Sequence, residues 1–175
     1  HLAVEFTEWM RERWNHPCVV IWDAQNETAN DKVTAATIGM VRGLDLSQRP
    51  WDNGWGTPQQ PGDVSEAHPY RSNRPNFQFS NFAKEDGVPN NAPRQGARPP
   101  YLINEYGWLW VNRDGTLPTL TTNIYRRELG PDSTIEQRRH YYARMLAAKT
   151  EFWRGRRQCA GVLHFCGLGY SRPDG

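Results

Sequence analysis

Two glutamates stand where the chain changes character. Glu27 closes the stretch N-H-P-C-V-V-I-W-D-A-Q-N-E, which opens with the turn Asn15-His16-Pro17 and runs through Cys18-Val19-Val20-Ile21-Trp22 to Asn26-Glu27. Glu105 closes a second one: Pro99-Pro100, Tyr101-Leu102-Ile103-Asn104, then Glu105-Tyr106-Gly107. Each time a turn leads into an apolar strand and a carboxylate sits where the strand ends. Two carboxylates facing one substrate can cleave a glycosidic bond: one donates a proton to the leaving oxygen and the other, ionised, attacks the anomeric carbon. A gap of about 5–5.5 Å retains configuration, and about 6.5–9.5 Å admits a water and inverts it. The surroundings must push the two pKa values apart. A lone Glu at a strand end is equally a salt-bridge partner or the neighbour of a helix N-cap. Asn26, able to bond a sugar hydroxyl, and Gly107, which lets backbone approach a ligand, favour the site.

The elements that must position these residues follow from periodicity. Leu2, Val4, Phe6, Trp9, Met10 and Trp14 predict an amphipathic helix over residues 1–14, stopped by Pro17. Residues 18–24 read as a strand apolar on both faces, as in a covered parallel sheet, with Cys18 and Cys166 as buried small hydrophobes. Thr28 to Leu44 is helical, weakened at its end by Gly43 and Asp45. Arg49 to Asp52 and Asp63 to Tyr70 read as short strands. Arg71 to Arg98 is a long polar loop, of a length that is usually functional or flexible, with Phe77, Phe79 and Phe82 as anchors. Strand 101–104 precedes Glu105, and a further loop runs from Tyr106 to Pro131. Ser133-Thr134-Ile135-Glu136 reads as a capping box opening a helix to about Arg154. Its buried stripe is Ile135, Tyr142, Met145, Leu146, Phe152 and Trp153. Gly161 to Gly167 is a last strand. Alternating helices and apolar strands argue an α/β parallel architecture. The polar strand ends (Asn26-Glu27, His68 to Tyr70, Asn104-Glu105) would share the C-terminal face of a barrel, where such folds keep their sites.

The 175 residues suggest one domain; a complete barrel takes ~250, so about half of a barrel is expected. The chain opens on His1 in helical pattern and closes on Pro173-Asp174-Gly175, so a segment of a longer protein is expected. Aromatic residues make up 12% of the chain, enough both for a core and for rings that stack on sugars. Arg outnumbers Lys 18 to 3, yet net charge is only +2 and the Arg are scattered. No helix-turn-helix, RNA-binding or zinc motif accompanies them, so a nucleic-acid partner is not expected. Three Cys without a C-x-x-C pair suggest neither a disulfide framework nor a zinc ribbon. No apolar run approaches the ~20 residues of a membrane span, and no compartment is assigned.

The Asn15 to Glu27 motif resembles the acid/base strand of glycoside hydrolase family 2, the β-galactosidase, β-glucuronidase and β-mannosidase group. Y-L-I-N-E-Y-G is similar to that family's nucleophile strand, in the same order along the chain. D-L-S-Q-R-P resembles the segment before its fifth barrel strand, D-V-S-E-A-H-P-Y its sixth strand, and G-V-L-H-F-C-G-L-G-Y falls where the eighth should be. The resemblance implies a partial (β/α)8 TIM barrel, approximately strands four to eight, over residues 1–175. It implies a retaining β-glycoside hydrolase, with Glu27 as general acid/base and Glu105 as nucleophile. Asn26 would bind the hydroxyl next to the anomeric carbon, and Tyr70 would approach the nucleophile.

His68, Trp108 and His164 complete the expected sugar contacts. Each keeps an alternative: His68 and His164 as core histidines, and Trp108, like Trp51, Trp55 and Trp110, as a loop anchor. His164 departs from the Trp that the family often carries there, and Asp23-Ala24-Gln25 replaces a run of small residues. His16 reads as a turn residue. The expected partners are a β-glycoside and the rest of the same polypeptide, with no cofactor, metal or membrane. Two alternatives remain: another retaining family on the same barrel, or a non-catalytic carbohydrate-binding or scaffolding barrel.

Overall fold

A computed structural model describes residues 1–29, 31–78, 80, 99–156 and 159–165. They form a mixed α/β structure with small parallel sheets. The chain divides into two compact units: His1–Ala67 with Val88–Leu102, and His68–Gly87 with Ile103–Gly175.

The first unit holds α1 (Leu2–Arg13), β1 (Trp22–Asp23), α2 (Lys32–Val41), β2 (Trp51–Asp52), β3 (Ser65–Ala67) and the start of β4 (Tyr101–Ile103). α1 ends ahead of Pro17, as the pattern requires. α2 starts four residues later than expected because Asp31 caps it, accepting the Val33 N–H at 2.9 Å. It tightens into a 3-10 turn over Arg42–Leu44, where Gly43 weakens it. β1 and β2 run parallel, Trp22 opposite Trp51 and Asp23 opposite Asp52. On the other edge of β2, Val64 bridges Asp52, also in parallel. Ser65 N–H then donates to Pro100 O at 3.0 Å. Met10, Trp22, Ile38, Val41 and Trp51 form the core, faced by Phe6 and Trp9.

The expected strand over 18–24 is shorter, and it is not covered on both faces. Val19 N–H still bonds His16 O, so the turn persists and pairing starts only at Trp22. Cys18 is exposed rather than buried, and Val20 is 67% exposed. His16 sits exposed in that turn. Asp63 ties the unit together from inside. Its carboxylate takes both Arg42 guanidinium arms at 2.9 and 2.7 Å and the backbone N–H groups of Trp51, Gln59 and Gln60.

The second unit holds the end of β4, α3 (Thr119–Leu129), α4 (Ile135–Arg154) and β5 (Cys159–Val162). Leu163 N–H donates to Ile103 O at 2.7 Å, placing the end of β5 beside β4. Leu109, Ile124, Tyr125 and Met145 form the core, with Phe77 packed against it. α3 lies where a loop was expected. Its buried stripe is Thr121, Ile124 and Tyr125, and the threonine hides the apolar period. The Thr121 and Tyr125 hydroxyls satisfy themselves on Trp110 O and Leu109 O.

α4 is capped one residue later than expected. Thr134 Oγ accepts the Gln137 N–H at 3.2 Å while Gln137 Oε1 accepts the Thr134 N–H at 2.8 Å. The buried positions of α4 are Met145, Lys149 and Trp153, whereas Ile135 is 43% exposed. β5 begins two residues earlier than expected. Phe79, Phe82, Cys166, Gly167 and the stretch Asn81 to Arg98 lie outside the described residues. Among the described residues no helix is long and apolar enough to cross a membrane.

Candidate active site

In the first unit, Glu27 sits two residues past Gln25, whose amide fastens the loop. Gln25 Nε2 donates to Asn53 O and Asn53 Oδ1, both at 3.0 Å, and to Thr28 O at 3.3 Å. This joins the chain leaving β1 to the chain leaving β2. Gly54 makes the approach possible: it takes φ +56°, and a Cβ there would stand 2.8 Å from Gln25 O. Asn26 O accepts the Thr28 hydroxyl at 2.9 Å, and the Asn26 and Glu27 side chains are exposed. Glu27 itself has φ +47°. A left-handed backbone in a residue with a Cβ costs about 1–3 kcal/mol and persists only where its surroundings hold it.

In the second unit, Glu105 follows β4 and meets two side chains from the segment after β3. The Tyr70 phenol donates to Glu105 Oε2, and His68 Nδ1 lies 3.4 Å from the same oxygen. The His68 side chain is 3% exposed and the Glu105 side chain 12%. The Trp108 ring packs edge-on against Tyr70 at 4.8 Å and lies tilted against Trp110 at 5.0 Å. Trp108 is half-buried with φ +52°, and Trp110 is buried. Trp51 is locked in the core of its own unit at 1% exposure and offers no face to a ligand, whereas Trp55 is 36% exposed.

Among the described residues His164 bonds a side chain: its Nε2 lies 3.1 Å from the Tyr142 hydroxyl. Burial pushes its pKa below the usual histidine value, favouring the neutral ring. It borders Gly107, where a Cβ would lie 3.7 Å from His164 Nε2.

Beneath the Tyr70–Glu105 pair lies a group that sequence reasoning missed. Lys149 of α4 is fully buried, and its ammonium donates to Tyr70 O at 3.0 Å, Ser72 Oγ at 2.7 Å and Gly107 O at 2.9 Å. Its fourth neighbour is the Phe77 ring, 5.9 Å from the ammonium to the ring centroid. None of these described partners is a carboxylate, and desolvation pushes its pKa down to about 7. One signal was present in the sequence: Lys149 stands four residues from both Met145 and Trp153, in the middle of the buried stripe.

No family model and no curated protein matches the chain. Two solved structures share its fold: the GH2 β-galacturonidase from Eisenbergiella tayi bound to galacturonate, and the GH2 β-galacturonidase from the same organism bound to glycerol. The likeness is one of fold. Each aligns at 16% identity and a TM-score of 0.54, over 93% of this chain. This chain spans 28% of the length of the chain in either structure.

Proposed function

We propose that this chain is the C-terminal part of the (β/α)8 barrel of a retaining β-glycoside hydrolase, with Glu105 as nucleophile and Glu27 as general acid/base. The observation that carries the reading is the engagement of Glu105 Oε2 by Tyr70 and His68. With Oε2 so held, Oε1 is the oxygen that attacks. The barrel reading is supported by strands that neighbour one another in chain order: β2 beside β1, Val64 beside β2, β3 beside Pro100, and the end of β5 beside β4. It is supported too by the fold shared with two solved structures of a GH2 β-galacturonidase. In this reading the rest of the polypeptide supplies the remaining strands.

The reaction runs in two displacements. Glu105 Oε1 bonds to the anomeric carbon as the bond to the leaving oxygen breaks, and Glu27 gives that oxygen its proton. Glu27, now a carboxylate, takes a proton from water. The hydroxide so formed attacks the anomeric carbon and breaks the bond to Glu105, restoring both carboxyl groups. Asn26 bonds the adjacent sugar hydroxyl, Trp108 offers an aromatic face, and His164 lines the last strand's contribution.

The test is covalent labelling of the complete polypeptide with a 2-deoxy-2-fluoro glycoside, read by peptide mass spectrometry. An adduct on Glu105, absent in Glu105→Gln, is expected. Reversible binding without an adduct would instead mark a non-catalytic carbohydrate-binding barrel. The 175-residue chain alone should not turn over an aryl β-glycoside, because strands that the site needs are elsewhere. Turnover by it, lost in Glu27→Gln, would overturn the half-barrel reading.

A further inference from the structure

Two non-glycine residues in the described part of the second unit have left-handed backbone, Arg71 at φ +50° and Trp108 at φ +52°. Arg71 is the middle of a very tight turn, in which Ser72 N–H reaches Tyr70 O at 2.5 Å. A turn closed across one residue of positive φ is the rare, strained sense of the γ-turn. Trp108 immediately follows Gly107 in the chain leaving β4. Strained residues of this kind relax unless their neighbours over-determine them.

One ammonium group sits beside both of them. The two carbonyls that Lys149 binds, Tyr70 O and Gly107 O, belong to the peptide groups immediately preceding Arg71 and Trp108. Ser72 closes the junction, its hydroxyl lying 3.1 Å from Tyr70 O and 3.2 Å from Gly107 O while accepting from Lys149. Arg127 holds the far end of the same turn, donating to Ser72 O and Arg74 O, both at 3.2 Å. The turn carries Tyr70, and the chain ending in Gly107 carries Glu105. A buried ammonium is costly to hold, and among the described residues this one meets two backbone carbonyls, a hydroxyl and a ring.

We propose that Lys149 is a positioning residue: by pinning Tyr70 O and Gly107 O it holds two strained turns and keeps the Tyr70 phenol on the Glu105 carboxylate. Its value to catalysis rests on reading Glu105 as the nucleophile. The geometric role does not. The junction is also tolerant of the lysine's charge. A neutral amine still has two N–H groups for the two carbonyls and a lone pair to accept the Ser72 O–H, so the turns stay pinned in either form.

The experiment follows Tyr70 directly. Tyrosine labelled with 13C at Cζ is incorporated into the complete polypeptide, and the Tyr70 resonance is assigned by its loss in Tyr70→Phe. Glu105→Gln gives the shift that accompanies loss of the carboxylate partner. Lys149→Met should move the Tyr70 resonance by the same amount, and Lys149→Met/Glu105→Gln should move it no further. A Lys149→Met protein that folds with Tyr70 unmoved would overturn the proposal, even if it melts earlier. Where Lys149→Met does not fold, Ser72→Ala removes the bridging hydroxyl and keeps the lysine, and the same comparison decides. Neither readout needs turnover. Failure of Glu105 labelling with Tyr70 behaving as stated would sink the proposed function and leave the positioning role. The reverse pattern would sink only the positioning role.

Discussion

Raising the pH from 7 to 9 should stabilise the second unit through Lys149. Desolvation lowers its folded pKa from 10.5 to about 7. Between those values the unfolded chain binds a proton that the folded chain has given up. Stability contributed by this group therefore rises with pH across that window and is least below it. With the folded value near 7, the gain from pH 7 to 9 integrates to about 2 kcal/mol, and from pH 5 to 7 to less than about 0.5 kcal/mol. Three groups in the same unit oppose it at the alkaline end. Burial raises the Cys159 thiol, raises Tyr141 to about 12 and raises Tyr125 further, so each ionises more readily when unfolded. The assay is therefore a difference: urea unfolding of the wild type and of Lys149→Met at pH 5, 7 and 9. These three groups are common to both proteins and cancel. The wild type should gain about 2 kcal/mol on the variant between pH 7 and 9 and almost nothing between 5 and 7. Parallel pH curves would refute the reasoning, because they would mean that three hydrogen bonds fully offset the desolvation and the buried lysine stays charged.

The other predictions concern single side chains. Asp63→Ala strands the Arg42 guanidinium and three backbone N–H groups, and should cost the first unit about 3–5 kcal/mol in urea unfolding. Gly115 has φ +85°, and a Cβ there would lie 2.3 Å from Ile135 Cγ2. Gly115→Ala should therefore lower stability by about 1–3 kcal/mol, visible as an earlier thermal transition. Glu27→Gly should unfold at higher urea than Glu27→Gln by about 1 kcal/mol, because only the glycine removes the left-handed strain. Equal midpoints would mean that the backbone at Glu27 is not strained.

Much of the local structure was written in the chain. Pro17 ends α1, the apolar stretches before Glu27 and Glu105 lead into strands, and a capping box opens α4. The errors share a cause. Apolar period reports which side chains prefer burial, not which backbone groups find partners. Val19 still bonds into the turn at His16, so the strand reduces to Trp22–Asp23 despite its β-branched composition. α3 was hidden because Thr121 occupies a buried position, satisfied by Trp110 O, which no periodicity reveals. Lys149 was missed for the same reason: its acceptors lie 79 and 42 residues away along the chain. Tyr70 and Glu105, which the structure brings together, were singled out by a motif resemblance, whereas the lysine beneath them had none.

The aromatic core of the first unit has an optical consequence. The Trp9 and Trp22 rings lie 4.9 Å apart, Trp22 and Trp51 6.1 Å, and Trp9 and Trp51 6.4 Å, at fixed mutual tilts. Indoles that close together share their electronic excitation, and a rigid tilt makes the shared transition chiral. This cluster should therefore give a circular dichroism couplet that vanishes when the rings part. It would act as a built-in dye for one half of the molecule, while 13C-labelled tyrosine reports on Tyr70, Tyr125 and Tyr141 in the other. Heating one labelled sample would then show whether the two units melt together or one outlives the other, without altering a side chain.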